Sequence, residues 1–201
     1  DYEGQRQDLI RYMRETENQL QILLCELAAY LHNKDMEINV WDQIIAFEGR
    51  MHEFIKAAYD YQDNTFHSHP GYYIDYFEMR LAQLQVLHNL HYEIKKIRKM
   101  PKQALVIADY IMYMADYVVE MNIPDQQIEK LEEISEQMKQ EELPKTREEF
   151  EGRALLYHIL MDLEEFLVYK KRFVNGLDEK KLRIYWKQEM EQKDSANELQ
   201  K

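Results

Sequence analysis

A chain of 201 residues can bury a sizeable core, as one large domain or two small ones. Five glycines and four prolines against 32% charged residues favour long helices over sheet or disorder. A formal net charge of −12 argues against nucleic acid as a partner, and the single cysteine, Cys25, closes no internal disulfide, which fits a reducing setting.

Taken in order, the apolar residues fall at helical spacing. Leu9, Met13, Leu20, Leu24, Leu27 and Leu31 stack on one face of a first helix from about Gln5 to His32, which Asn33-Lys34-Asp35 ends. Asn39, with Asp42 three residues on, is a candidate cap for a second helix from Val40 to about Tyr61. Its inner arc holds Trp41, Ile44, Met51, Phe54, Ile55 and Ala58. Gln62 to Gly71 reads as a loop that carries His67 and His69. A third helix, Tyr72 to Met100, buries Ile74, Phe77, Leu81, Leu84, Leu87 and Ile94.

Pro101 suits the first turn of a fourth helix, where its missing amide proton would be unpaired anyway. Ile107, Ile111, Met114, Ala115 and Val118 line that helix. Pro124 opens a fifth, with a narrow stripe of Ile128, Leu131, Ile134 and Met138, which should lie on the surface. Pro144, then Thr146 with Glu149 three residues on, form a capping box for the next helix, which runs to a stop near Asn175-Gly176.

That stretch, Leu143 to Arg172, has three apolar rows. They are Phe150, Ala154, Tyr157, Met161 and Val168; Leu156, Leu160, Leu163 and Leu167; and Leu155, Ile159 and Phe166. Only Glu151, His158, Asp162 and Glu165 form a polar strip, so the helix is expected to be the hub of the bundle. A terminal helix, Leu177 to about Gln192, holds Leu182, Ile184 and Trp186, with a frayed tail. The fold expected is an all-α, multi-helix antiparallel bundle with a largely buried hub helix near residues 146–174. Residues 1–176 would form the bundle domain and 177–201 the terminal helix and tail.

LPKTREEFEGRALLYHILMDLEEFLVYK, from Leu143 to Lys170, resembles the C-terminal end of the soluble domain in the bacterial aromatic acid exporter family, in the group with a short membrane half. YYIDYFEMRLAQ, from Tyr72 to Gln83, is similar to a second signature of that domain, and the likeness extends from about Leu20 to Lys171. The resemblance implies a domain at the cytoplasmic face of the bacterial plasma membrane that serves assembly or regulation of a transporter and is not itself the pore. No run approaches the roughly 18–20 apolar residues of a membrane span. Asp1 in place of a start methionine suggests an excised piece. With the resemblance, it implies an N-terminal membrane region as partner.

Charges inside apolar arcs are the candidate site. Arg80 projects between Tyr73, Tyr76, Leu84 and Leu87; Arg153 sits beside Leu156 and Leu160; Glu48 lies between Ile44, Met51 and Ile55. A buried guanidinium needs acceptors, because an unpaired buried charge is very costly. One account is a buried polar network of Glu48, Arg80 and Arg153 completed by tyrosine hydroxyls. The other is a ligand site, in which Arg80 and Arg153, flanked by Tyr73 and Tyr76, accept an aromatic carboxylate.

Glu48 and His52, and His88 and His91, have spacings that could present two metal ligands, but no Glu-x-x-His pair occurs and no metal or cofactor is expected. Phosphate loops, nucleophile elbows and Cys-x-x-Cys pairs are missing, so no catalysis is expected. Lys95, Lys96, Arg98, Lys99 and Lys102 form a basic knot that suits either a helix C-terminus or inner-leaflet lipid headgroups. Self-association is a further expectation, as is the alternative of a free-standing helical adaptor.

Overall fold

The computed structural model describes residues 1–35, 39–65, 71–177, 186 and 198–200. Six helices follow one another among them: α1 (Tyr2–His32), α2 (Val40–Asp63), α3 (Gly71–Lys96), α4 (Ala104–Ala115), α5 (Asp125–Lys139) and α6 (Arg147–Gly176). They pack on one another as an all-α bundle, as the periodicity predicts. Most of the terminal helix expected over 177–192, and the loop histidines His67 and His69, lie outside the described residues.

Local chemistry sets the boundaries. Asp1 caps α1 by accepting the Glu3 amide at 3.3 Å. Asn39 stands at the α2 N-cap but makes no side-chain cap bond there, contrary to the cap expected of it. Thr146 Oγ accepts the Glu149 amide at 3.1 Å, half of the predicted box. The return bond from Glu149 goes to the Lys145 amide, at 3.1 Å, rather than to the cap residue itself. Pro101 precedes α4 by three residues, in a tight turn closed by the Ala104 amide on the Pro101 carbonyl at 3.0 Å.

Cross-helix contacts give the directions. Tyr2 meets Tyr61 and Glu26 meets Gln43, so α1 and α2 run antiparallel. Phe54 meets Phe77, and Trp41 meets His88, which does the same for α2 and α3. On α3 and α6, Gln83 bonds to Phe166 and Glu93 lies by His158, again antiparallel. Where α6 crosses the 99–101 turn, a Cβ on Gly152 would stand 3.1 Å from the Lys99 carbonyl oxygen and from Pro101 Cγ. Only a glycine leaves that approach unstrained.

α3 packs against α1, α2 and α6, just as α1 packs against α2, α3 and α4. Of its residues, α3 buries Tyr76, Phe77, Leu84, Leu87, Leu90 and Ile94 without remainder. α6 buries two of its three rows, through Leu156, Leu163, Ile159 and Phe166, against α3 and α5. Its first row faces outward: Phe150 is 61% exposed and Met161 63% exposed. The expectation that α6 is enclosed on nearly every side is therefore corrected on that row. α1 and α3 each pack on three other helices, whereas α6 packs on α3 and α5.

Candidate functional site

Arg80 is buried to 1% exposure at the middle of α3, where α1 and α6 close over it. Its Nε donates to the Tyr76 hydroxyl at 3.0 Å, and Tyr76 donates onward to Glu17 Oε1 on α1 at 3.0 Å. Nη1 donates to Gln83 Oε1 at 2.9 Å, while Gln83 Nε2 donates to the Phe166 carbonyl of α6 at 2.8 Å. Nη2 lies 3.6 Å from Glu17 Oε1, and no hydrogen-bond acceptor among the described residues reaches it. The Tyr76–Arg80–Gln83 set recurs every three to four residues, so one face of α3 presents all three.

A second cation joins this centre. Lys170, on the last turns of α6, is also buried and donates to the Val119 carbonyl at 2.8 Å. Burial drives its pKa well below the usual lysine range, and the Arg80 charge adds to the fall. Glu17 and Glu120 oppose it. Tyr72 donates to Glu120 Oε2 at 2.7 Å and accepts the Trp186 indole N–H at 3.0 Å. Burial, with Glu120 second, raises the Tyr72 phenol far beyond its ordinary range, and burial does the same at Tyr76. Both phenols therefore stay protonated and act as donors.

Of the residues singled out from sequence, Tyr76 and Arg80 are joined directly. Tyr73 lies edge-on to Tyr72 and Tyr61, at 5.5 Å from each ring. Arg153 belongs elsewhere: its Nη1 donates to the Glu142 backbone carbonyl in the segment between α5 and α6. Glu48 stands 3.7 Å from His88 and does not join the arginines. The expected network of Glu48, Arg80 and Arg153 is thus replaced by one of Glu17, Arg80, Gln83 and Tyr76, with Lys170 and Glu120 beside it. The reason is direction: Glu48 lies between α2 and α3, whereas Arg80 turns toward α1. Bidentate capture of a carboxylate by Arg80 would have to displace Tyr76 and Gln83. A groove of about 170 Å³ does open between α5 and α6, but its lining, with Leu131, Ser135 and Glu164, contains no arginine.

Residues 6–171 match the model of a family described as "Putative aromatic acid exporter C-terminal domain". The chain belongs to that family. It is also 27% identical over 170 residues to the "Uncharacterized protein YqjA" of Bacillus subtilis (strain 168), a match that covers 82% of this chain and 51% of that protein. The chain thus spans about half the length of the curated relative it matches. A crystal structure titled as a "putative membrane protein from Clostridium difficile 630" shares the fold, with a TM-score of 0.72, 24% identity, and coverage of 82% of this chain and 98% of the other.

In this exporter-family domain, no helix among the described residues is long and apolar enough to cross a membrane. Among the same residues, no group of three or more His, Cys, Asp or Glu could hold a metal ion. His88 instead lies edge-on to Trp41 at 4.4 Å, and the buried His91 lies 5.9 Å from the Tyr30 ring. Burial, then the charges of Lys95 and His88, pushes His91 down.

Sequence reasoning also passed over a carboxyl pair between α3 and α6. Burial, then a hydrogen bond and repulsion from Glu93, pushes Asp162 up to about 8, with His158 acting the other way. Glu93 Oε1 lies 3.5 Å from His158 Nδ1. The sign of the linkage follows. A carboxyl near 4 when unfolded and about 8 when folded gives stability that is complete below pH 4 and lost as pH rises through 8. Asp162→Asn should therefore change thermal stability little at pH 4. By pH 9 it should be the more stable form, by about 1 kcal/mol after solvent screening of a partly exposed pair. Melting at both pH values checks this, and an offset independent of pH would refute it.

Proposed function

We propose that this bundle is the cytoplasmic, non-pore part of an aromatic acid exporter-like membrane protein, serving its assembly or regulation. Coverage is the observation that carries the reading. The family is named for a C-terminal domain and takes up residues 6–171, while the chain accounts for about half of its Bacillus relative. A membrane region preceding this domain would supply the pore. The bundle's own helices are built for packing on one another, with charge-network donors spent on internal acceptors. The outward row of Phe150, Ala154 and Met161 is the surface on which assembly would bury apolar area.

The full-length protein provides the test. A fluorescent protein fused after Lys201 should fluoresce in growing bacteria, since the fusion would end in the cytoplasm. A membrane-inserted but dark fusion, with the same fluorophore bright when the bundle is expressed alone, would overturn the placement. Removing the bundle should change the subunit number of the membrane half in detergent or its efflux of a labelled hydroxybenzoate. If both stay as in the intact protein, the assembly or regulatory role is wrong.

A further inference from the structure

The end of the bundle where α3 stops and α4 starts concentrates the positive charge of an otherwise acidic chain. Lys95, Lys96, Arg98, Lys99 and Lys102 are all exposed, with no acidic residue between Lys95 and Lys102. Lys34 from the end of α1 joins them, donating to the Lys95 carbonyl at 3.1 Å. Helix-dipole preference explains Lys95 and Lys96 in the last turn of α3. It does not explain Arg98, Lys99 and Lys102, which lie beyond that helix.

Two acids on the first turns of α6 are engaged. Glu151 pairs with Arg147 at 3.1 Å, and Glu149 accepts the Lys145 amide. At physiological salt, fields between exposed charges fade over about 8 Å, so the distant acidic residues of the chain do little to cancel the cluster.

Aromatic and apolar side chains border the same end. Tyr92, one turn before Lys96, is 57% exposed and carries the Lys96 ammonium 4.4 Å above its ring. Trp41, on the first turn of α2, is 45% exposed and leans on His88, one turn further back. Leu105 and Val106 open α4 and are exposed just past Lys102. Cations interleaved with Trp and Tyr, whose rings favour the headgroup level, match the boundary of an anionic bilayer. A nucleic-acid groove would need this positive field over a longer track, against the acidic remainder of the surface.

We propose that the Lys95–Lys102 end of the bundle docks on anionic lipid headgroups, with Tyr92 and Trp41 entering the interfacial layer. Electrostatics supplies most of the attraction, so the contact is reversible and salt-sensitive. α1, at 31 residues, is about 46 Å long and places Asp1 at the opposite end. A membrane region joined there and this lipid contact would together lay the bundle along the bilayer. The docking itself requires no such junction and can be read on the bundle alone.

Sedimentation of the 201-residue chain with vesicles tests it. Vesicles of phosphatidylcholine with about one-third phosphatidylserine should bring the protein down at 0.1 M salt, while pure phosphatidylcholine should not. Raising salt to about 0.5 M should release it. Lys96→Glu with Lys99→Glu should weaken binding at least tenfold, since each cation lost near such a surface is worth about a fivefold change. Lys56→Glu, an exposed charge reversal on α2, should have a much smaller effect. Equal sedimentation with both lipids, or equal losses from the two charge-reversed variants, would overturn the proposal. So would a salt-sensitive rise in mass without vesicles that depends on Lys96 and Lys99 while lipid binding does not; that result would assign the cluster to a second copy of the chain.

Discussion

Arg80→Ala is expected to lower unfolding free energy by about 3–5 kcal/mol, the usual cost of breaking a buried ion pair from one side. Three losses combine. Glu17, only 13% exposed, loses its guanidinium partner; Gln83 Oε1 loses its donor; and a large side chain leaves a hole at the centre of α3. For a chain of this size that is a fall of about 10 °C or more in melting temperature. The cost belongs to the imbalance rather than to the charge. Arg80→Met combined with Glu17→Leu, which removes both partners and keeps much of the volume, should recover part of the loss, since apolar replacement of whole buried pairs is often neutral or better. Urea denaturation of the three proteins provides the measurement. A loss under about 1 kcal/mol for Arg80→Ala would show that the network does not hold α1, α3 and α6 together.

The members of that network were partly legible. Arg80 stands out because it interrupts the apolar row Tyr76, Phe77, Leu84 and Leu87, and Tyr76 lies one turn before it. Glu17 carried the same signal, which the leucine pattern concealed: it falls four residues after Met13 and three before Leu20, inside the buried stripe of α1. Lys170 likewise continues the row Leu156, Leu160, Leu163 and Leu167, but three basic residues in the last turns invite a helix-dipole explanation instead. A charge at an apolar register position on each of three helices is the readable mark of one shared network. What no spacing reveals is which helices face one another. Glu48 occupies an equally apolar arc on α2, yet its neighbour is His88.

Helices were easier to read than their orientation. Scarce glycine and proline, the leucine row of α1 and the Thr146 cap define elements through local rules that tertiary packing did not override. For α6, periodicity shows three apolar rows but cannot rank them. Only the arrangement of α3 and α5 decides which two are covered.

Two phenylalanines separate those arrangements by experiment. Phe77 on α3 is fully buried and meets Phe54 at 5.6 Å and Tyr76 at 5.3 Å between ring centroids. Phe77→Ala should cost about 3–5 kcal/mol, the sum of lost transfer energy and the cavity left among side chains that cannot collapse fully. Phe150 occupies the first turn of α6 at 61% exposure, so Phe150→Ala should stay within about 0.5 kcal/mol of the parent. Were α6 enclosed on every side, as its composition suggests, the two substitutions would cost alike. Denaturation of both variants at one protein concentration decides whether the Phe150 row of α6 is enclosed, and a Phe150→Ala loss above about 2 kcal/mol would show that it is. A loss at Phe150 that grew with protein concentration would place that row in a contact between copies, because binding to the folded state adds stability by mass action.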